Sequence, residues 1–230
     1  MIPERAIVEW GNFVPWIRAA TVEQDLIICR APVAIYSDGF LSSHIAFRGG
    51  TAIHKLYLSP RSRYSEDIDL VQIKPENSTF PPIMPLRLKI EINCKEHFSI
   101  PGFVKIPFEV NSQWFNGHCN ITAYQLDELI GTKLRALYRR KKGRDLFDLY
   151  RALEYPNLNM DNVIKRYHRY IAFSDGESPP KNIYLANLDE KMQEEIFLYD
   201  TQAILRPSLI YNPQTAFEAV KTELIEKLEL

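Results

Sequence analysis

The sequence predicts an α+β fold, with an α/β lobe over residues 1–122 followed by a helical lobe over residues 123–230. Three observations support this division. Leu86–Asn93 alternates strictly between apolar and polar side chains, as expected of a strand with one buried face. Ile45–Arg48 and Asp67–Ile73 are predicted as two further strands, separated by a glycine turn. Beyond residue 122 the apolar residues recur at helical spacing, so the second lobe is expected to be a helical bundle.

Two helices are predicted ahead of the first strand. Apolar residues recur at helical spacing over residues 6–20. Thr21, with Gln24 three positions later, is a capping-box signal for a second helix that ends near residue 37. Pro32 lies inside this second helix and is expected either to kink it or to divide it, and the sequence leaves both outcomes open.

The remaining elements follow from apolar spacing and from turn-forming residues. Thr51–Leu58 is predicted as a short helix, and Lys74–Pro85, which contains four prolines, is predicted as a loop. A strand or hairpin is predicted in Val104–Val110. The helices expected in the second lobe cover about Ala123–Arg140, Gly143–Leu153, Asp161–Ala172, Asp189–Asp200 and Pro213–Lys227.

The bulk composition is that of a globular protein without a membrane segment. Apolar residues make up 46% of the chain, and the net charge of −1 argues against a generic nucleic-acid binder, so any contact with RNA has to come from a local patch. No stretch approaches the roughly 20 apolar residues needed to cross a bilayer. The cysteines, Cys29, Cys94 and Cys119, are odd in number and lack metal-like spacing, which predicts reduced, buried thiols in a cytoplasmic protein.

Two aspartates separated by one apolar residue form the first candidate site. In a strand, alternate side chains lie on the same face, so Asp67 and Asp69 are expected to project together while Ile68 turns into the core. Two carboxylates fixed on one side of a strand form a hard, oxygen-rich site that suits Mg²⁺. The pair therefore predicts a metal site.

A glycine pair upstream of the aspartates indicates a phosphate site. Gly49 and Gly50 allow backbone N–H groups to approach a phosphate, and the helix expected to begin at Thr51 points its positive end the same way. A phosphate cradle followed by a metal site is the arrangement needed to transfer nucleotides.

This arrangement resembles the nucleotidyltransferase superfamily that includes DNA polymerase beta, whose signature is Gly-Gly or Gly-Ser, a spacer, and Asp-x-Asp. More specifically, it resembles the AbiEii family, the toxin half of bacterial AbiE-type abortive-infection and toxin–antitoxin systems. Glu128–Tyr150 is similar to that family's second block, in which a helix carrying a lysine meets an Arg-Asp-x-x-Asp turn. The resemblance covers roughly Thr21–Tyr155 and implies a nucleotidyltransferase-like small mixed β-sheet with helices.

A two-metal site, with Mg²⁺ expected and Mn²⁺ as an alternative, needs a further carboxylate. Two divalent ions roughly 3.5–4 Å apart lower the pKa of an attacking hydroxyl and neutralise the leaving pyrophosphate. Glu91 is the candidate third ligand because it lies on the polar side of an alternating strand. The alternative is that Glu91 is a solvated residue paired with Lys89. Thr51 and Ser65 place hydroxyl groups near the expected triphosphate.

The second block supplies a candidate lysine and two aspartates. The resemblance implies that Lys133 and Asp145 match catalytic residues, with the Lys133 ammonium near the β- and γ-phosphates of the nucleotide. Lys133→Ala is then expected to weaken activity and to leave the fold intact. The alternative is a structural cluster in which Asp145 caps its helix and pairs with Arg144 or Arg135. Asp148, three residues after Asp145 and on the same helix face, is interpreted as structural.

Arg139–Arg144 is the one dense basic run of the chain. It is predicted either to grip the phosphates of an RNA acceptor or to form a solvated turn between two helices, and the sequence favours neither.

The resemblance implies a toxin that moves a nucleotide from an NTP to a hydroxyl acceptor. The acceptor is expected to be the 3′ end of tRNA, and the expected partner is a cognate antitoxin with a winged-helix domain. One alternative is a catalytically degenerate nucleotide- or partner-binding module, since the Pro-rich link before Leu86 is short for the family. A further alternative is a haloacid-dehalogenase-type phosphatase, whose Asp-x-Asp-x-Thr/Val pattern Asp67–Val71 also fits. In those enzymes an apolar strand runs directly into the first aspartate, whereas here Arg63–Glu66 precedes it.

Overall fold

The computed structural model describes residues 2–74 and 89–228. Most of the predicted loop Lys74–Pro85 and the first three residues of the strand predicted from Leu86 lie outside the described residues. The chain divides into two compact units, Met1–Gln125 with Arg206–Ser208, and Leu126–Leu205 with Leu209–Leu230.

The first unit combines helices with a mixed sheet. Its described elements, in chain order, are α1 (Glu4–Gly11), α2 (Ala19–Ser37), α3 (Gly39–His44), β1 (Ile45–Arg48), α4 (Gly49–Ala52, continued by a π-helical turn Ile53–Tyr57), β2 (Asp67–Gln72), β3 (Lys89–Asn93), β4 (Val104–Asn111) and β5 (Asn116–Ala123). The strands form a five-stranded sheet in the order β3-β2-β1-β5-β4 within the described residues. β1 pairs antiparallel with β2 and parallel with β5, β2 pairs parallel with β3, and β4 pairs antiparallel with β5.

The second unit is helical throughout its described elements. These are α5 (Leu126–Arg139), α6 (Gly143–Leu153), α7 (Met160–Asp175), α8 (Lys181–Lys191), α9 (Glu195–Tyr199), α10 (Pro213–Glu223) and a 3₁₀ turn (Ile225–Lys227). α5 and α7 approach closely at Gly131, where a Cβ would lie 3.0 Å from the carbonyl oxygen of Val163. The predicted α+β fold class, a mixed sheet with helices followed by a helical region, is confirmed. No helix among the described residues is both long enough and apolar enough to span a membrane.

Several boundaries differ from the sequence prediction. The helix predicted over residues 6–20 ends at Gly11, and α2 begins at Ala19 with Arg18 at its N-cap, so the capping role predicted for Thr21 is wrong. Thr21 lies in the first turn because the two alanines ahead of it extend the helix upstream. α2 continues through Pro32, which excludes a division of the helix there.

One predicted strand is confirmed and one predicted helix is divided. The strand predicted in Val104–Val110 is β4, and it forms a hairpin with β5, which the sequence did not predict. The helix predicted over Asp189–Asp200 is two helices, because α8 begins earlier, at Lys181 after Pro180, and ends at Lys191.

A buried ion cluster ties the helices of the first unit to the segment that precedes β2. Asp25 on α2 is 1% exposed. Its carboxylate accepts hydrogen bonds from Lys55 Nζ at 2.6 Å, from Arg61 at 3.1 Å and from Trp10 Nε1 at 3.0 Å. Burial acts to raise the pKa of Asp25, but the charges of Lys55 and Arg61 outweigh it and lower the pKa from 3.8 to about 2.

Replacing Asp25 by asparagine is expected to reduce the unfolding free energy by roughly 3–5 kcal/mol, because it leaves Lys55 without its buried counter-charge. Because the folded pKa of Asp25 is lowered from 3.8 to about 2, its contribution to stability is complete above pH 3.8 and is lost as the pH falls to about 2. Urea unfolding at pH 7 and during acid titration measures both effects. Glu109→Gln, at an exposed position of β4, is the control and is expected to change stability by less than about 0.5 kcal/mol. An Asp25→Asn protein as stable as the wild type at pH 7 contradicts this account of the cluster.

Candidate active site

The chain turns sharply from β1 into α4 at Gly49. The φ angle of Gly49 is +74°, a left-handed conformation that side chains other than glycine rarely adopt. A Cβ on Gly49 would lie 1.9 Å from Oδ2 of Asp69 and 2.8 Å from its Cβ. A glycine is therefore required at position 49 for two reasons: the left-handed backbone conformation there, and the space that the Asp69 carboxylate occupies. The sequence predicted a glycine turn at this position, but the contact with Asp69 depends on the pairing of β1 with β2, which local sequence does not specify.

The helix predicted from Thr51 begins two residues earlier, at Gly49. The N–H groups of Gly49, Gly50 and Thr51 consequently belong to the first turn, where backbone donors lack intrahelical acceptors. The Thr51 hydroxyl donates a hydrogen bond to the backbone oxygen of Asp67 at 2.6 Å and so fixes the start of β2 to this helix. Ser65 is buried, and its Oγ has no hydrogen-bond partner among the described residues.

Three carboxylates converge at the edge of the sheet formed by β2 and β3. The register of the two parallel strands places Asp69 opposite Glu91 and Asp67 opposite Lys89. One carboxylate oxygen from each of Asp67, Asp69 and Glu91 lies within 4.8 Å of the other two. The donor set consists of carboxylate oxygens, which Mg²⁺ and Mn²⁺ prefer, so its chemistry fits a divalent cation.

Glu91 shows both of the features that the sequence left as alternatives. Its carboxylate belongs to the three-residue cluster, and its Oε1 also lies 2.6 Å from Nζ of Lys89. Both side chains of this ion pair are more than half exposed. Glu91 is thus positioned as a candidate ligand and paired with a neighbour on the same strand face.

An ion pair that the sequence did not single out joins β1 to the turn after β3. Arg48 contacts Glu96 at 2.5 Å, and its guanidinium lies 5.8 Å from the centre of the Tyr124 ring. Asn93 donates a second hydrogen bond to Glu96 at 3.1 Å. Arg48 pairs in register with Asp69, so this contact links both strands that flank the Asp-x-Asp strand. The only sequence signal was a charged residue directly before the glycine pair.

The start of β2 distinguishes the site from that of a haloacid-dehalogenase-type phosphatase. Asp67 is the first residue of the strand, and the residues immediately before it, 64–66, are not in a strand. No apolar strand therefore leads into the first aspartate within the described residues of this segment.

In the second unit, Lys133 lies within a buried cluster of charges. Its Nζ is 2.7 Å from Oδ1 of Asp145 and 2.9 Å from Oδ2 of Asp148, and both aspartate side chains are fully buried. Arg140 makes two hydrogen bonds to Asp145, at 2.6 and 2.8 Å. Burial acts to raise the pKa of Asp145, but Lys133 and Arg140 outweigh it and lower the pKa.

The pairing alternatives that the sequence suggested for Asp145 are wrong. Arg144 pairs with Asp200, and Arg135 donates to the carbonyl oxygen of Tyr170. The partner of Asp145 besides Lys133 is Arg140, which follows the last residue of α5. Helical spacing could not predict this contact because Arg140 lies in the turn between two helices.

The buried cluster changes the expectation for Lys133→Ala. This substitution leaves Asp145 and Asp148 buried with one fewer cation, so we expect the unfolding free energy to fall by roughly 3–5 kcal/mol in addition to any loss of activity. Urea unfolding measures the loss, with Lys165→Ala, at an exposed position of α7, as the control. If the Lys133→Ala protein has the same urea midpoint of unfolding as the wild type, the cluster does not stabilise the second unit.

The basic run Arg139–Arg144 is largely occupied by ion pairs inside the second unit. Arg140 binds Asp145, Lys141 lies 2.5 Å from Glu194, and Arg144 lies 3.1 Å from Asp200. These contacts favour the interpretation of this run as a structural turn between two helices over its interpretation as a binding site for RNA phosphates.

Comparisons with known proteins identify the family and the fold of the chain. The model of the family described as the nucleotidyl transferase AbiEii toxin of a type IV toxin–antitoxin system matches residues 33–84 and 77–223. Among solved structures, the chain is similar to MenT4, the nucleotidyltransferase toxin Rv2826c from Mycobacterium tuberculosis H37Rv. The TM-score is 0.64 at 13% sequence identity, covering 100% of this chain and 91% of that chain, which shows a shared fold. No curated protein matches the chain at a significant level. Because the family model matches more than half of its residues, the chain belongs to the AbiEii family of nucleotidyltransferase toxins of type IV toxin–antitoxin systems.

Proposed function

We propose that the chain transfers a nucleotide from an NTP to a hydroxyl acceptor at the carboxylate cluster, and that pyrophosphate leaves. The observation that carries this proposal is the cluster itself, in which oxygens of Asp67, Asp69 and Glu91 lie within 4.8 Å of one another. A second observation supports it, since the glycine turn lies directly against the Asp69 carboxylate. The backbone proposed to bind phosphate and the carboxylate oxygens proposed to bind the metal are thus adjacent, as nucleotide transfer requires.

Asp67, Asp69 and Glu91 are the residues that would hold Mg²⁺ or Mn²⁺. When bound, such cations lower the pKa of the attacking hydroxyl and offset the charge of the leaving pyrophosphate. The pairing of β2 with β1 and β3 holds the two aspartates in place before substrate arrives. This pre-organisation reduces the cost of ordering the site during the reaction.

The glycine turn is proposed to bind the nucleotide phosphates. The amides of Gly49, Gly50 and Thr51 form the first turn of a helix and offer donors to phosphate oxygens. The buried Oγ of Ser65, which has no hydrogen-bond partner among the described residues, is proposed as a further nucleotide contact.

Lys133 and Asp145 are proposed as functional residues on the strength of the family resemblance. An ammonium group can offset the charge that develops on pyrophosphate. Asp145 holds the Lys133 ammonium at 2.7 Å, so we assign Asp145 the role of positioning Lys133.

The acceptor is proposed to be the 3′ hydroxyl of tRNA, so that transfer blocks aminoacylation and stops growth. The chain would then act in the cytoplasm, where NTPs and tRNA are present. Its cognate antitoxin is proposed to carry a winged-helix DNA-binding domain, and the pair is proposed to serve in phage defence. These assignments follow from the family of the chain and not from a contact in the structure.

Periodate oxidation of tRNA provides a sharp test of the acceptor. Periodate destroys the terminal 2′,3′-diol and leaves the rest of the molecule intact. Incubation of the protein with Mg²⁺ and each α-labelled NTP is expected to label intact tRNA and to leave oxidised tRNA unlabelled. Equal labelling of both tRNA samples, or labelling of protein in a mixed extract, contradicts the proposed acceptor while leaving nucleotide transfer itself supported.

A further inference from the structure

A lysine contacts one of the three candidate metal ligands, Glu91, from within the same strand. Lys89 is the first residue of β3 and lies opposite Asp67 in the register of β2 with β3. Lys89 and Glu91 are two residues apart in a strand, so their side chains share a face. The Lys89 ammonium lies 2.6 Å from Oε1 of Glu91, one of the carboxylates of the cluster.

The Lys89 ammonium and a divalent cation compete for the same carboxylate oxygens of Glu91. A cation that binds Glu91 either takes an oxygen from Lys89 or lies beside a like charge, and both situations weaken its binding. The ion pair is also exposed, with relative side-chain exposures of 66% for Lys89 and 54% for Glu91, and exposed pairs contribute little free energy. Lys89 is therefore able to lower the affinity for a cation without preventing its binding.

We propose that Lys89 competes with divalent cations for the Glu91 carboxylate. By pairing with Glu91, Lys89 raises the concentration of divalent cation that is needed to occupy the carboxylate cluster. This inference rests on the proposed function of the cluster and adds a residue that sets its metal affinity. Removing the charge of Lys89 is expected to strengthen binding about three- to tenfold, the range expected when one like charge is removed several ångströms from a divalent ion in screened water.

Titration with Mn²⁺ alone, followed by the electron paramagnetic resonance signal of the free ion, tests this directly and needs no turnover. Lys89→Gln is expected to lower the Mn²⁺ dissociation constant about three- to tenfold. Lys89→Arg keeps the charge and is expected to bind as the wild type does. Lys105→Gln is the matched control, because it removes a charge from an exposed position of β4, at the opposite edge of the same sheet.

A further variant separates competition for Glu91 from a general effect of charge. In a Glu91→Gln background the ion pair no longer exists, so the gain from Lys89→Gln is expected to shrink. An undiminished gain in that background, or an equal gain from Lys105→Gln, overturns the proposal.

The remaining outcomes distinguish this inference from the proposed function. If the wild type binds Mn²⁺ and Asp69→Asn abolishes binding, but Lys89→Gln binds as the wild type does, then the role of Lys89 is wrong and the metal site stands. If neither the wild type nor Lys89→Gln binds Mn²⁺ at millimolar concentration, both the metal site and the competitor role are overturned.

Discussion

Replacing Asp67 and Asp69 together by asparagine is expected to abolish nucleotide transfer while the protein stays folded. Asparagine keeps the size of each side chain but lacks the charge that binds a divalent cation. Both side chains are partly exposed, so the loss of charge at these positions costs the fold little. We expect the transfer rate to fall by roughly a thousandfold or more, equivalent to about 4 kcal/mol of transition-state stabilisation.

The matched control for this double variant is Glu109→Gln. Glu109 is an exposed acidic residue on β4, in the same sheet but at the edge opposite β3. The Glu109→Gln protein is expected to transfer nucleotide at the wild-type rate. Steady-state rates and thermal unfolding should be measured for all three proteins. A double variant that is folded and retains substantial activity shows that the reaction does not use this cluster.

Replacing Gly49 by alanine is expected to produce the second-largest loss of activity. The new Cβ would lie 1.9 Å from Oδ2 of Asp69, and the backbone of Asp69 is fixed by pairing with Arg48 on one side and Glu91 on the other. The carboxylate therefore has to move, and a displacement of about 1 Å in a catalytic group costs roughly a hundredfold in rate. A left-handed alanine adds a conformational cost of about 1–2 kcal/mol.

Gly102 allows these two effects to be separated. Its φ angle of +87° is also left-handed, but among the described residues, apart from its two chain neighbours, no heavy atom lies within 4 Å of the position that a Cβ would take. Gly102→Ala is thus expected to carry the conformational cost and to keep the activity. Rates and Mn²⁺ affinity should be measured for both alanine variants. Equal activity of the Gly49→Ala and Gly102→Ala proteins contradicts the steric role of Gly49.

The sequence predicted the elements that local patterns encode. Alternation along β2 placed Asp67 and Asp69 on one side and Ile68 in the core, and the structure has Ile68 fully buried between two partly exposed aspartates. The helical spacing of apolar residues likewise predicted a helix over about Gly143–Leu153, and α6 has these bounds. In both segments the side-chain spacing indicates the type of element, but burial extends beyond the periodic positions, as at Val71 near the end of β2.

The sequence could not predict contacts that depend on strand pairing or on turns. The contact of Gly49 with Asp69 requires β1 and β2 to be neighbours, and the contact of Glu96 with Arg48 joins residues 48 positions apart. Arg140 reaches Asp145 from a turn whose conformation carries no periodic signal. Each of these contacts is formed by tertiary structure, which supplies partners that no local pattern specifies.

The most direct test of the central claim compares α-labelled and γ-labelled NTP with purified wild-type protein, Mg²⁺ and tRNA. Transfer of a nucleotide retains the α-phosphate in the acceptor and releases the γ-phosphate within pyrophosphate. The account predicts label in tRNA from α-labelled NTP alone, pyrophosphate in equal amount, and neither product from the Asp67→Asn, Asp69→Asn double variant. Binding of NTP with no pyrophosphate release, or incorporation of the γ label, would contradict it.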